Sequence, residues 1–205
     1  VEMAGSYVAV DDYLQTTAPH IYAAGDITGR MMLVQSAGYE ARIAAENAVL
    51  GAAQAYAHAI VPHGGFTDPE YGSVGMTEEA ASAMHEIVVA QVPYADLDRA
   101  VIDDRTEGVC KLIAARDSGR LLGAHVVGEQ ALEIVHMVAA GMASGMTVDQ
   151  LAGLEIAYPT YTAILGLAAR RIAGELGNIT LDPQWRALTR AHGAAVGAEW
   201  ESRAS

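Results

Sequence analysis

The feature that most constrains this chain is a pair of β-favouring runs, Val109 to Ala115 and Leu121 to Val127, separated by Arg116-Asp117-Ser118-Gly119-Arg120. Apolar runs of strand length joined by a charged, glycine-containing turn read as a hairpin, so the sheet holding them is at least partly antiparallel. A strand is expected near Gly72 to Gly75, then a helix opened by Thr77 with Glu79 close behind, then an apolar strand Ile87 to Val92. After the hairpin, Ala131 to Ser144 has helical character, Thr147 caps a short second helix, and Tyr161 to Leu176 gives a third after Pro159. The pattern predicts an α+β unit with helices on one side of a sheet.

The amino-terminal part has a different grammar. Thr16 to Ala24 reads as a buried strand that stops on Gly25 and Asp26, followed by a short glycine-containing loop, Ile27 to Met32. Val34, Ala37, Ala41, Ala44, Ala45 and Ala48 then recur at helical spacing up to Gly51, which predicts an amphipathic helix with a small-residue face packed on a sheet. In open α/β sheets ligands sit beyond the carboxyl ends of strands, where glycine admits close approach and a short acid can bond a sugar hydroxyl. The amino terminus of the following helix favours negative charge. Gly25 and Asp26 are therefore candidate ligand contacts. Ala52 to Pro62 reads as a connection, with a domain boundary near residue 58.

Composition narrows the options. With 52% hydrophobic and 18% charged residues, 205 residues suffice for one large or two small packed domains. A net charge of −13 with no local cluster of lysine or arginine argues against nucleic acid and anionic membrane surfaces. The apolar stretch Ala131 to Met146 contains Glu133 and His136 and is shorter than the roughly 20 residues a bilayer needs. The single cysteine, Cys110, lies inside an alternating strand and reads as a structural thiol in a cytoplasmic protein. No metal site is expected, because the seven histidines form no H-E-x-x-H arrangement and Glu133-x-x-His136 has no second copy. Asp96 to Asp104, with four aspartates and Arg99, reads as a solvated acidic loop with a binding patch as the alternative, and Trp185 and Trp200 as large apolar groups seeking burial.

The run Thr16-Thr17-Ala18-Pro19-His20-Ile21-Tyr22-Ala23-Ala24-Gly25-Asp26 resembles the second flavin-binding motif of the pyridine nucleotide-disulfide oxidoreductases, the family of glutathione reductase, dihydrolipoamide dehydrogenase and mercuric reductase. Phe66-Thr67-Asp68-Pro69-Glu70, Val74-Gly75-Met76-Thr77-Glu78 and Leu121 to Gly128 resemble the family's dimerisation domain, and the likeness extends over about residues 7 to 176. It implies a carboxyl-terminal remnant of an α/β FAD-binding domain over residues 1–57, namely its terminal strand and helix. A dimerisation domain over 58–177 and a helical tail of unknown role over 178–205 follow. FAD is the implied cofactor, with Gly25, Asp26, Leu33 and Val34 at its site. NAD(P)H is implied through domains upstream, since no G-x-G-x-x-G turn precedes the Gly-Asp motif here, and the partner is a second copy in a homodimer.

In the dithiol enzymes of this family the carboxyl-terminal domain lends a His-Pro motif and a glutamate to the partner subunit. The corresponding run here is Ala157-Tyr158-Pro159-Thr160-Tyr161-Thr162-Ala163, with tyrosine at the histidine position and alanine where the glutamate would be. A phenol with a pKa of about 10 is a poor base at neutral pH. Tyr158-Pro159, Thr162, Gly166 and Leu167 look more like the mercuric reductases, in which tyrosines help hold a metal ion; that subfamily also carries a carboxyl-terminal cysteine pair, and no cysteine follows Cys110. Tyr158 and Tyr161 are thus the candidate substrate-facing residues, with aromatic packing at a dimer seam as the competing reading. The expected role is the carboxyl-terminal part of a mercuric reductase-like FAD-dependent NAD(P)H oxidoreductase; the alternative is a non-catalytic dimerisation module.

Overall fold

The computed structural model describes residues 1–51, 54–56 and 60–177. The boundary expected near residue 58 and the expected tail, with Trp185 and Trp200, lie outside them. The chain divides into two units, Val1–His63 and a second that begins at Gly64.

The first unit opens with a two-stranded antiparallel ribbon, β1 (Met3–Ala4) and β2 (Tyr7–Val8). The helix expected after the Gly-Asp motif is α1 (Val34–Leu50), which ends at Gly51. Its buried side is not the alanine stripe. Of the residues expected to face inward only Ala44 is buried, while Val34 is 90% exposed and Ala41, Ala45 and Ala48 face solvent. The buried face carries Ser36, Glu40, Ile43, Ala44 and Asn47. Alanine has little area to hide, so the face bearing Ile43 wins, and polar residues accompany it where backbone partners satisfy them. Ile43 and Ala44 pack with Leu14, flanked by Val10, Tyr22, Ala24, Tyr39 and Tyr56. Asn47 donates from Nδ2 to the carbonyls of Tyr13 (2.9 Å) and Gln54 (2.8 Å) and accepts from the Gln54 amide (2.9 Å).

The buried strand expected over Thr16 to Ala24 is also corrected. The run folds as a tight loop closed by an isolated bridge between Gln15 and Tyr22, with Ile21 40% exposed. Its ties are local, the Thr16 amide to the Ile21 carbonyl (2.9 Å) and the Ala23 amide to the Leu14 carbonyl (3.1 Å). A strand exists only through a paired neighbour, and among the described residues this run has no ladder beyond that bridge.

The second unit is built on a five-stranded sheet in the order β3-β4-β7-β6-β5. Its members are β3 (His63–Gly65), β4 (Tyr71–Gly75), β5 (Ile87–Pro93), β6 (Val109–Ala115) and β7 (Leu121–Val127). The β5–β6, β6–β7 and β4–β7 pairs are antiparallel, and the predicted hairpin is β6–β7. The helices are α2 (Glu78–Ser82), α3 (Asp98–Ile102), α4 (Ala131–Ala143), α5 (Val148–Ala152) and α6 (Ala163–Glu175). Thr77 caps α2 by accepting from the Ala80 amide (3.2 Å), and Thr147 and Gln150 form a reciprocal capping box on α5.

Alternation decides what the sheet buries. Val88, Ala90, Val92, Cys110, Leu112, Ala114, Ala124 and Val126 are all at most 5% exposed. They form the face on which α4 and α6 pack, with Ile134, Val135, Ile164, Leu165 and Ile172 opposite them. Each fully buried Leu or Ile contributes about 1.5–3 kcal/mol. On the other face α2 covers one end, where Ala81 meets Ile113, Ala115 and Leu122. A register shift between Ile113 and Ala114 lets Leu121 and Leu122 both be buried. Among the described residues no helix is long and apolar enough to cross a membrane.

Candidate functional site

In the first unit the candidate site is the turn at Gly25 and Asp26. Gly25 is buried with φ 80° and ψ −157°, a conformation open to glycine, and an added Cβ would lie 3.1 Å from the Ala37 Cβ. Its carbonyl accepts from the Thr28 amide (2.9 Å) and the Thr28 hydroxyl (2.8 Å). Its amide donates to Glu40 Oε2 at 2.5 Å, reaching across to the second turn of α1. Asp26, exposed, begins a single 3-10 turn, Asp26–Thr28, that ends on Gly29.

Leu33 and Val34 stand where α1 begins. Leu33 has extended backbone, offers no side-chain cap, and accepts from the Ala37 amide (2.9 Å); the first turn of α1 contains no acid. The leading amides of the helix are thus not capped by the Leu33 side chain, and the positive end of the helix dipole carries no acidic residue in its first turn. Gly25, Asp26, Leu33 and Val34 therefore line one loop and one helix start. Glu40 is the residue that sequence reasoning missed. It is fully buried, its Oε1 has no hydrogen-bond partner among the described residues, and neither does the buried Ser36 hydroxyl one turn earlier. The only sequence signal was its four-residue spacing from Ser36 on the side of Ile43.

In the second unit Tyr158 and Tyr161 diverge. Tyr158 is 75% exposed and lines a cleft of about 230 Å³ with Asp96, Asp98, Arg99, Thr160 and Arg170. Its hydroxyl is raised above the ordinary phenol range, first by a hydrogen bond with Asp98. Tyr161 is 4% exposed and donates to Asp103 Oδ2 at 2.9 Å. Burial first, then that bond, raises its hydroxyl too. Both phenols hold their protons at neutral pH and can donate hydrogen bonds but not act as bases.

Asp103 is the hub beneath the cleft. It accepts from Arg99 Nε at 2.7 Å as well as from Tyr161, and these two contacts, Arg99 first, hold its carboxyl below the usual range. The Arg99 guanidinium lies 5.9 Å from the Tyr161 ring, and the ring centroid of the buried Tyr94 is 6.1 Å away. Tyr94 fits because Gly128, at φ 148°, has no Cβ; one would sit 2.2 Å from the Tyr94 ring. Tyr94 donates to the Glu129 carbonyl (2.9 Å), and burial drives its hydroxyl far above the phenol range. The segment Asp96 to Asp104, expected as a solvated loop, keeps its four aspartates at the surface but is partly helical. It contains α3, buries Leu97 and Ala100, and commits Asp96 to Arg171 at 2.7 Å. The Arg171 partner of Asp96 and the Tyr161 partner of Asp103 lie far away in sequence, so spacing alone does not reveal them.

Cys110 is buried in β6, where desolvation pushes its thiol up to about 12, so it is no thiolate nucleophile. Among the described residues no group of three or more His, Cys, Asp or Glu is placed to hold a metal ion.

The sequence matches the family model "Pyridine nucleotide-disulphide oxidoreductase, dimerisation domain" over residues 61–169, more than half of the chain. The chain belongs to the pyridine nucleotide-disulphide oxidoreductases. A second model of the same family matches residues 1–41. Relatives within the family include a mercuric reductase of Bacillus cereus, 36% identical over 162 residues that make up 78% of this chain and 26% of that protein. A dihydrolipoyl dehydrogenase of Haloarcula marismortui is 35% identical over 82% of this chain and 36% of its own length. Among solved family structures, LpdA from Mycobacterium tuberculosis superposes with a TM-score of 0.75 at 30% identity, over 82% of this chain and 37% of that one. The HOCl-induced flavoprotein disulfide reductase RclA from Escherichia coli gives 0.73 at 29% identity, over 80% of this chain and 38% of its own. This chain thus spans between about a quarter and two fifths of the length of these relatives.

Proposed function

We propose that this chain is the homodimerising part, and one wall of the flavin site, of an FAD-dependent NAD(P)H oxidoreductase of mercuric reductase-like type. In this reading residues 1–57 complete a flavin-binding domain, residues 58–177 dimerise, and the nicotinamide site and redox cysteines belong to sequence upstream. The observation that carries it is the Gly25-Asp26 turn set beside the start of α1, where the Leu33 side chain forms no cap.

That site fits FAD on its own chemistry. Gly25 leaves a cradle that a Cβ would fill, exposed Asp26 can accept from a sugar or ribityl hydroxyl, and the helix start offers amides to an electron-rich carbonyl or an anion. Leu33 and Val34 supply apolar contact beside those amides. When bound, the flavin supplies two-electron chemistry between a nicotinamide and an acceptor. This chain's own share is to orient and shield it. In the second unit the exposure of Tyr158 suits a substrate-facing hydrogen-bond donor, and Tyr161, bonded to Asp103, supports the segment from beneath.

Size-exclusion chromatography with light scattering and the flavin absorbance of the purified protein test the proposal together. A dimer is expected, with flavin retained when the complete reading frame is expressed and little or none by residues 1–205 alone. Stoichiometric FAD on residues 1–205 alone would overturn this division of labour. A monomer would overturn the dimerisation role.

A further inference from the structure

Gly25 is held from both sides of its peptide. Thr28 takes the carbonyl, and Glu40 takes the amide from within α1. Among the described residues the Glu40 contact ties the Gly-Asp turn to the buried face of that helix. Nothing else accounts for burying a carboxyl group there, since its second oxygen finds no partner among the described residues. The contact also sets direction. With the amide pinned to α1 and the carbonyl pinned to Thr28, Gly25 is fixed at its left-handed φ, and Asp26 must leave the turn toward solvent beside the helix start.

We infer that Glu40 is a positioning residue for the ligand turn, clamping the Gly25 amide so that Asp26 and the amino end of α1 face one ligand together. The role of that ligand as a flavin rests on the function proposed above; the clamp itself does not. Glu40 touches no reacting atom and acts only through Gly25. Ser36, buried on the same face without a hydrogen-bond partner among the described residues, has no part in it.

The test uses Glu40→Ala, Glu40→Gln and, as a control, Ser36→Ala in the protein expressed from its complete reading frame. Two readouts are taken: FAD affinity with the visible flavin spectrum, and hydrogen exchange of the Gly25 amide in flavin-free protein. Glu40→Ala is expected to weaken FAD binding roughly ten- to hundredfold and to strip protection from the Gly25 amide. Glu40→Gln keeps a carbonyl acceptor of nearly the same shape, serves as the comparison if the alanine variant fails to fold, and is expected to recover most of both signals. Ser36→Ala should leave both unchanged.

If wild-type protein takes up no FAD, the functional proposal falls, and Gly25 exchange alone decides the clamp. Equal exchange in wild type and both Glu40 variants overturns the inference. So does unchanged FAD affinity in both variants when the wild type binds flavin.

Discussion

The two units bury helices for different reasons. In the first, α1 hides a face that is half polar, with Glu40 and Asn47 tied to backbone groups of Gly25, Tyr13 and Gln54. In the second, α4 and α6 hide Ile134, Val135, Ile164, Leu165 and Ile172 against an apolar sheet face. The lesson is that one unit specifies loop positions by directed hydrogen bonds, whereas the other earns its stability from area. Polar tethers contribute about 0.5–1.5 kcal/mol each but fix geometry; apolar burial contributes more and fixes little beyond which face is inward.

The contrast breaks most visibly at Leu112, which is fully buried in the central strand pair. Leu112→Ala should cost about 2–5 kcal/mol in the second unit, measured by denaturant unfolding. If the loss is below 1 kcal/mol, area is not what holds that unit. Asn47→Ala in the first unit comes next. It removes the side-chain hydrogen bonds to Tyr13 and Gln54 and should cost about 1–3 kcal/mol, appearing as faster amide exchange in residues 13–15 and 54–56 rather than as global unfolding. A global transition shifted as far as that of Leu112→Ala would erase the distinction between the units.

Tyr161→Phe sharpens the comparison inside the second unit, because it removes a polar tether from an otherwise apolar neighbourhood. The lost bond to Asp103 should cost about 0.5–1.5 kcal/mol in thermal or chemical melts. It should also act on pH dependence. Asp103 has a depressed pKa, so its contribution is present above the unfolded-state value and is lost as pH falls through the folded one. Without the Tyr161 donor the folded value rises toward the ordinary range, and loss of stability on acidification begins at higher pH. An acid limb identical to wild type would show that Arg99 alone sets Asp103. The smallest effect is expected for Arg116→Ala, which removes a 2.6 Å surface pair with Glu175. It should change stability by less than about 1 kcal/mol and less still in high salt, checked by melts at two ionic strengths.

Much of the second unit was legible in the sequence. The β6–β7 hairpin, the Thr77 and Thr147 caps and the three helices after the hairpin follow from short-range patterns that sterics and capping enforce locally. Helix α3 was not legible, because the aspartates of residues 96–104 look like a solvated loop; the Arg99–Asp103 pair is a four-residue helical neighbour, while Arg171 and Tyr161 arrive from elsewhere in the chain. The glycine turn at Gly25 was legible in the sequence, yet its contact with Glu40 was not, since that partner lies fifteen residues away across a loop. Tyr158 and Tyr161 looked equivalent in sequence, and only packing separates the exposed phenol from the buried one.

By itself the sequence determined the family, the antiparallel α+β unit, the helix that starts at Val34 and the glycine turn that precedes it. These rest on motifs whose order survives in one dimension and on periodicities of two and 3.6 residues. Tertiary structure alone decided which face of α1 is buried, that residues 16–24 form a loop rather than a strand, that Glu40 meets the Gly25 amide and that Tyr161 meets Asp103. Each of those outcomes depends on a partner distant in sequence, and a hydrogen bond or a strand pairing exists only once folding has brought that partner within reach.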